Sequence, residues 1–299
     1  MTDKDALLTT NFKGLKLFRS GKVRDIYDLG ENLLFVATDR ISAFDVIMKQ
    51  GIPGKGEMLT KISAFWFDLL KDVIPNHMIA AYFNEFPENL KEFPNLKGRS
   101  MIVKKVERID IECIVRGYIT GSAWKEYKSL DSNAGVKVLY GNKIPDNLIE
   151  SQEFPEPIFT PSTKADDGHD ENISLGKFYE IIGEKRGDEI VNSSIMLYKR
   201  ASEYARTRGI ILADTKFEFG LDDDKLILID EALTPDSSRF WNVENYVPGK
   251  SQDSYDKQYL RDYLKSVGWT GTPPPPDLPD EVINNTARKY REAYNSLIK

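Results

Sequence analysis

The feature that most constrains the fold is the segment LADTKFEFG, in which charged and apolar residues alternate between Leu212 and Gly220. Successive side chains of a β-strand point to opposite faces of the sheet. The alternation therefore predicts a strand with one apolar face and with Asp214, Lys216 and Glu218 together on the other face. Two carboxylates around one ammonium group suit a site that handles a phosphate and a divalent cation.

A second short apolar strand is predicted from Leu226 to Ile229, and it ends in Asp230 and Glu231. The polar residues 220–225 between the two strands are typical of a hairpin connection. Charges that alternate along a strand more often mark the solvated outer face of an antiparallel sheet. The hairpin is thus either part of the solvated surface or part of an active site, and the motifs elsewhere in the chain favour the active site.

Composition excludes several classes of function. The 299 residues include one cysteine, Cys113, and two histidines, His77 and His169, so neither an internal disulfide nor a zinc cluster is expected. A net charge of −6 argues against general binding to nucleic acid or anionic membranes. No apolar run approaches the roughly 20 residues that span a bilayer, and the first residues do not resemble a secretory signal. We therefore expect a soluble cytoplasmic protein, and a monomer is favoured over a homo-oligomer.

Periodicity and turn residues predict an α+β fold with two lobes. The expected division is a β-rich N-terminal lobe at residues 1–108 and a larger α+β lobe at residues 109–299. The predicted strands are Leu15–Phe18, Arg24–Asp28, Leu33–Thr38, Arg99–Val106 and Ile111–Ile119. The predicted helices are Glu57–Asp72, Ser122–Ser129, Ser174–Ile182, Glu189–Arg206, Ser254–Val267 and Asp280–Ile298. Residues 131–172 are polar and interrupted by prolines, which predicts a long functional or mobile loop.

The segment SGKVRDIYDLG, residues 20–30, combines a tight Ser-Gly turn with Lys22 and Arg24. Exposed backbone N–H groups in such a turn, together with two cations, can hold a polyphosphate. The same pattern also occurs in ordinary hairpins. The chain contains neither GxxxxGK[ST] nor GxGxxG, so neither a P-loop nor a dinucleotide-binding fold is predicted.

Polar side chains also follow the ends of several predicted strands, where functional sites commonly lie. They are Arg40, Ser42 and Asp45 in ATDRISAFD, Arg116 and Ser122 in RGYITGSAW, and Arg239 in TPDSSRFW. In a purely structural interpretation Ser122 is an ordinary helix N-cap and Arg116 is a surface cation. In the functional interpretation both bind a phosphate or carboxylate at the start of a helix.

Taken together, these motifs resemble one family, the phosphoribosylaminoimidazole-succinocarboxamide synthases, also called SAICAR synthetases. The resemblance is carried by IECIVRGYITGS and LADTKFEFG, with support from GKVRDIY, ATDRISAFD, DEALTPDSSRFW and SQDSYDKQYLRDYL. It runs from Gly21 to Leu264. The length and the segment PSTKADDGHDENIS are similar to those of the longer fungal-type enzymes, whereas Asp110 stands where many members have proline.

The resemblance implies an ATP-dependent ligase of de novo purine biosynthesis. Its reaction joins L-aspartate to the carboxylate of carboxyaminoimidazole ribonucleotide (CAIR) through an acyl phosphate and gives SAICAR, ADP and phosphate. Mg²⁺ is implied because the polyphosphate and the carboxylate must be neutralised. A site of lysines, arginines and acids suits this reaction, since catalysis consists mainly of holding anionic reactants together and stabilising developing charge.

Roles for individual residues follow from the same resemblance, with ATP placed in the cleft between the lobes. Lys216 and Asp214 are expected beside the transferred phosphoryl group, and Glu218 and Asp230 are expected to carry Mg²⁺. ATP is expected to contact Lys22, Arg24 and Glu112, and its adenine is expected to meet the backbone of residues 103–105 around Lys104. The ribonucleotide is expected to contact Arg116, Ser122, Arg239, Arg40, Ser42 and Asp45. Lys164 is a candidate for the aspartate site. His169 is interpreted as structural or exposed, and His77 as a residue that caps a helix end.

Two other classes of function remain open at this stage. A kinase-like phosphotransferase would share the phosphate turn, the lysine and the two metal-binding acids, but its turnover would not require aspartate. A non-enzymatic nucleotide-binding or scaffold protein would be stabilised by magnesium-ATP without any turnover.

Overall fold

The computed structural model describes residues 6–163, 171–255 and 257–299. The strands in these ranges are β1 Lys16–Ser20, β2 Arg24–Asp28, β3 Asn32–Ala37, β4 Ser42–Ala43, β5 Val46–Ile47, β6 Met78–Ala80, β7 Ser100–Lys104, β8 Glu107–Arg108, β9 Ile111–Tyr118, β10 Val136–Leu139, β11 Asn142–Pro145, β12 Glu153–Thr163, β13 Ile210–Asp222, β14 Lys225–Ile229 and β15 Ser238–Asn242. The α-helices are α1 Lys55–Leu70, α2 Glu88–Lys91, α3 Gly121–Ser129, α4 Leu175–Ile182, α5 Glu184–Thr207, α6 Gln258–Ser266 and α7 Asp280–Ile298. Lys164 and His169 lie outside the described residues.

The first sheet has five antiparallel strands in the order β1-β2-β3-β7-β6. Residues alternate between its two faces, as the period of a strand requires. Tyr27, Leu34 and Val36 on one face belong to a buried apolar cluster. Arg24, Ile26 and the residues opposite them on β3 are on the other face, which lines a cavity.

The second sheet is built around β13, which pairs with β9, β15, β14 and β8, while β12 pairs with β9 at the edge. Phe217 and Phe219 of β13 belong to the main core, to which α5 also contributes. On the opposite face Asp214 and Glu218 are only 6% and 4% exposed. The interpretation of this charged face as a solvated surface is therefore wrong.

The predicted hairpin after β13 is confirmed. Asp222 pairs with Lys225, so Asp223 and Asp224 form a two-residue turn, and both have positive φ angles, 49° and 63°. A turn with two left-handed residues matches the twist of the flanking strands. It brings β14 back along β13, so that Asp230 follows the strand next to Glu218.

The prediction of a long loop at residues 131–172 is wrong, because this stretch contains β10, β11 and the 11-residue strand β12. The pairing of β12 with β9 is interrupted between Glu153 and Ile158, where Pro155 and Pro157 lie. Proline is tolerated in an edge strand because its missing N–H group can face away from the neighbouring strand.

Helix α7 packs on α1, although the two helices are far apart in the sequence. Ile41, Ile52 and Leu59 share one buried cluster with Leu264 and Tyr290. The C-terminal helix thus completes the core beside the N-terminal sheet. None of the helices in the described ranges is long and apolar enough to cross a membrane.

Candidate active site

A cavity of about 710 Å³ is walled by both sheets. Its lining residues include Lys22, Arg24, Ser42, Lys104, Glu112, Lys216, Glu218 and Asp230, all of which the sequence placed in the site. Apolar residues line it as well, among them Ile26, Leu33, Val103 and Ile229. The cavity therefore combines a charged wall with an apolar one.

Lys216 lies between two carboxylates in this cavity. Its Nζ is 2.5 Å from Oε1 of Glu112 and 3.4 Å from Oε1 of Glu218. Burial opposes the charged ammonium, but the carboxylates of Glu218 and Glu112 outweigh burial and raise the pKa of Lys216 above its ordinary value. The raised pKa favours the charged ammonium form of Lys216 at neutral pH.

Arg24 and Asp230 form a second ion pair on the same cavity. Nη2 of Arg24 donates to both carboxylate oxygens of Asp230, at 2.7 and 2.8 Å, and lies 3.9 Å from Glu231. The guanidinium also lies over the ring of Phe35, 5.5 Å from its centre. Burial opposes the charge on Arg24, yet Asp230 and Glu231 raise its pKa. Glu218 is close enough to contribute to the same effect.

The predicted metal ligands Glu218 and Asp230 line one cavity, beside the cations that would hold phosphate. The part of the chain that the structure describes contains no group of three or more residues that could hold a metal by themselves. Mg²⁺ that accompanies a nucleotide usually takes one or two carboxylates and completes its coordination with phosphate oxygens and water. Two carboxylates therefore fit Mg²⁺ bound together with a polyphosphate.

Asp214 belongs to a different cluster from Lys216. Nη1 of Arg116 lies 3.0 Å from Oδ2 of Asp214, and Arg239 donates to the same oxygen. Arg116 also donates to Thr160 and is 3% exposed, so its interpretation as a surface cation is wrong. Arg239 is more accessible, with 25% of its side chain exposed. Asp214 thus pairs with both arginines, and the more exposed one, Arg239, can contact a ligand.

The start of α3 lies against this arginine cluster. Thr120 is the N-cap residue and Ser122 falls in the first turn, so the interpretation of Ser122 as the N-cap is wrong. Gly121 has a φ angle of 59°, and a Cβ atom there would lie 2.6 Å from Nη2 of Arg239. Glycine therefore lets the guanidinium approach the first backbone N–H groups of the helix, where anions bind favourably.

Arg40, Lys22 and Asp45, which were predicted to contact ligands, also form ion pairs within the protein. Arg40 pairs with Asp25 at 2.8 Å and donates to the carbonyl of Gly21, and it is not among the residues that line the cavity. Lys22 and Asp45 pair at 2.5 Å, with about half of each side chain exposed. Arg40 therefore fixes the turn that carries Lys22, and Asp45 holds the lysine beside the cavity.

Lys104 lines the cavity near the end of β7, and its Nζ lies 2.6 Å from Asp222. The backbone amide of Lys104 donates to the carbonyl of His77. His77 also lines the cavity and packs edge-on against Phe35 and Phe67, so its interpretation as a helix cap is wrong. Burial lowers the pKa of His77 to about 4, and the imidazole is neutral at pH 7.

One polar cluster escaped the sequence analysis. Asp236 accepts from Lys55 at 2.7 Å and from Tyr290 at 2.5 Å, and Lys257 lies 3.2 Å from it. Asp236 and Lys257 line the cavity, whereas Lys55 is fully buried. Burial opposes the charge on Asp236, but Lys257 and Lys55 lower its pKa. The sequence offered one indication of this cluster, because Asp236 lies in the motif DEALTPDSSRFW and Lys257 in the motif SQDSYDKQYLRDYL.

Comparison with known proteins points to one family. The family model described as SAICAR synthetase matches residues 17–276. The chain is 52% identical to the phosphoribosylaminoimidazole-succinocarboxamide synthase of Thermodesulfovibrio yellowstonii, over 98% of this chain and 99% of the relative. It is 55% identical to the enzyme of the same name from Desulfotalea psychrophila, over 97% of both chains.

A solved structure described as SAICAR-synthase from Saccharomyces cerevisiae complexed with SAICAR superposes with a TM-score of 0.86. The sequence identity is 48%, and the match covers 97% of each chain. The predicted α+β fold is therefore confirmed, and a kinase-like phosphotransferase is not favoured. The chain belongs to the SAICAR synthetase family, and its activity is that of an ATP-dependent ligase of purine biosynthesis.

Proposed function

We propose that the protein binds ATP and Mg²⁺ in the cavity and CAIR at the Asp214 cluster beside it on β13, and that it joins L-aspartate to the CAIR carboxylate. The observation that carries the proposal is the position of Lys216, between Glu112 and Glu218 and in the same cavity as the Arg24–Asp230 pair. Such an arrangement places a lysine of the second sheet, an arginine of the first sheet and carboxylates of the second sheet around one space. A site of this kind can hold polyphosphate, metal and carboxylate at the same time.

The chemistry requires two transfers. A carboxylate oxygen of CAIR attacks the γ-phosphorus of ATP, the bond to the β-phosphate oxygen breaks, and ADP leaves. The amine of aspartate then attacks the acyl carbon, loses a proton, and displaces phosphate. Charge builds on the phosphoryl oxygens in the first step and on the acyl oxygen in the second, so fixed cations are the main requirement.

Lys216 would stabilise the transferred phosphoryl group, because its pKa keeps it protonated and two carboxylates fix its ammonium. Lys22 and Arg24 would lie along the polyphosphate, with the Gly21 turn supported by Arg40. Glu218 and Asp230 would hold Mg²⁺, which neutralises the phosphates when it is bound. Glu112 would orient Lys216 through their hydrogen bond. Lys104 lines the cavity next to Val103 and would contact the nucleotide there.

For the ribonucleotide we propose the cluster around Asp214. Arg239 and the first turn of α3 with Ser122 would bind an anionic group, while Arg116 and Asp214 keep the Arg239 guanidinium in place. Ser42 lines the cavity and can contact substrate directly. A guanidinium suits this task because it donates two parallel hydrogen bonds to a phosphate or carboxylate.

The remaining assignments stay predictions from the sequence. They are Lys164 as a contact of L-aspartate, the lobe boundary near residue 108, the monomeric state and the cytoplasmic location.

The proposed reaction is tested by a coupled ADP-release assay in which each substrate is omitted in turn. We expect sustained ADP release only when ATP, CAIR and L-aspartate are all present, with SAICAR detected by mass spectrometry. Undiminished ADP release without aspartate would support a phosphotransferase instead. Stabilisation by magnesium-ATP with no ADP release under any condition would support a nucleotide-binding protein.

Replacing Arg239 with alanine should raise the KM for CAIR by about 10- to 100-fold, the range expected for loss of a charged hydrogen bond. The KM for ATP should change by less than about twofold, because Arg239 belongs to the Asp214 cluster and not to the Lys216 cluster. Steady-state kinetics with each substrate varied measures both constants. Arg186→Ala, which removes a surface arginine paired with Asp224, is the matched control. An unchanged KM for CAIR in the Arg239 variant would contradict the assignment.

A further inference from the structure

The edge strand β1 contains a β-bulge at Phe18. Leu17 pairs with Tyr27 and Arg19 pairs with Ile26, so Phe18 is an extra residue without a partner on β2. In a regular strand the side chains of Phe18 and Arg19 would point to opposite faces. A bulge changes this alternation and re-aims a side chain, and here both Phe18 and Arg19 line the cavity.

Phe18 lies at the apolar end of the cavity. Nζ of Lys105 is 5.1 Å from the centre of the Phe18 ring and 3.5 Å from Asp28, at the far end of β2 from Arg24. Asp28 pairs with Leu33, which in turn pairs with Val103, and both apolar side chains line the cavity. Lys22, Arg24 and Asp230 lie at the Arg24 end, whereas Lys104 and Lys105, which follow Val103 and also line the cavity, are paired with Asp222 and Asp28. A nucleotide with its phosphates at the Arg24 end would place its base among these apolar residues.

The side chain of Phe18 is also accessible, with 52% of the residue exposed. A large aromatic side chain in water gains free energy when a flat apolar group covers it. Every residue of β1 is exposed, so packing of the strand does not account for the phenylalanine. Lys105 holds the ring from one side through a cation–π contact, which limits the orientations that the ring can take.

We propose that Phe18 is a contact residue for the purine base of the nucleotide, placed over the base by the bulge in β1. This inference depends on the proposed nucleotide site. Phe18 covers the base, whereas Lys22 and Arg24, which follow β1 along the chain, hold the phosphates. The β1–β2 hairpin then contacts both the base and the phosphates of the same ligand. Because free polyphosphate has no base, the contact with Phe18 favours binding of a nucleotide over polyphosphate.

The test measures binding of magnesium-ADP and of magnesium-tripolyphosphate, which has no base, to the full chain by isothermal titration calorimetry. For Phe18→Ala we expect ADP binding to weaken by roughly 5- to 100-fold, the range for stacking of one base on one aromatic ring. Tripolyphosphate binding should change by less than about twofold. Phe18→Trp should keep ADP affinity within about threefold of the wild type.

Leu17→Ala is the matched control, because Leu17 is a similarly exposed apolar residue of β1. Leu17 pairs with Tyr27 and is not among the residues that line the cavity. This variant should bind both ligands as the wild type does. Equal weakening of ADP and tripolyphosphate by Phe18→Ala, or no weakening of either, would overturn the inference while the wild type still binds ADP. If the wild-type protein itself bound no ADP, the proposed nucleotide site would be wrong, and this inference with it.

Discussion

Replacing Lys216 with alanine is expected to lower kcat for SAICAR formation by at least about 10²- to 10³-fold, with the fold retained. The magnitude is that of removing one preorganised group that stabilises charge in a transition state. Lys216 lies between two carboxylates of the second sheet, Glu112 and Glu218, which raise its pKa and favour the charged ammonium. Product formation under saturating substrates, measured with circular dichroism as the check on folding, tests the prediction.

Two further variants separate charge from packing. Lys216→Met keeps most of the apolar stem and should lose as much activity as Lys216→Ala, because only the ammonium matters. Both variants remove the ammonium that lies between Glu112 and Glu218. Lys199→Ala removes a surface lysine paired with Glu156 and should keep wild-type kcat. Wild-type activity of Lys216→Ala would remove Lys216 from the mechanism.

Replacing Asp236 with asparagine is expected to lower the free energy of unfolding by about 3–5 kcal/mol, the cost of removing one partner from a buried ion pair. Lys55 has no solvent-exposed surface, so its ammonium would be left in the core without its closest anion. Urea denaturation followed by tryptophan fluorescence gives the free energy of unfolding. Asp277→Asn breaks an exposed pair with Lys49 and should leave stability unchanged.

The effect of Asp236→Asn should depend on pH in a defined direction. The folded pKa of Asp236 lies below its ordinary value of 3.8, because Lys257 and Lys55 outweigh burial. A carboxyl group with a lowered folded pKa stabilises the protein fully above its unfolded pKa, and this contribution disappears as the pH falls towards the folded pKa. The difference in stability between wild type and variant should therefore be constant near neutrality and shrink below about pH 4. A difference that grows in acid would contradict this assignment.

Periodicity was sufficient to predict much of the fold. The strand Arg24–Asp28 and the helix Asp280–Ile298 have the predicted ends, and α1 begins and ends two residues before its predicted limits. Strand β12 was missed because Pro155 and Pro157 normally indicate a loop, and only the position of the strand at a sheet edge explains why they are tolerated. Whether a strand lies at a sheet edge depends on the order of the strands, and the residues of a single segment do not reveal that order.

The same limit applies to the site. Alternation in LADTKFEFG placed Lys216 next to Glu218, and the structure adds Glu112 as a second partner of Lys216. Alternation could not tell that Asp214 would pair with Arg116 and Arg239 instead of Lys216, because those partners come from other strands. The Asp236–Lys55 pair joins residues 181 positions apart, and neither residue carries a local signal of the other.

The packing of α7 on α1 makes the folding of this chain strongly non-local. Ile41, Ile52 and Leu59 remain uncovered until residues near Leu264 and Tyr290 have been synthesised and have returned to them. Contacts between distant segments slow folding, since a long loop must close before the contact contributes any stability. An early intermediate with only the first sheet formed would expose this apolar surface and be prone to aggregation, so chaperone assistance should matter most before the last helix docks.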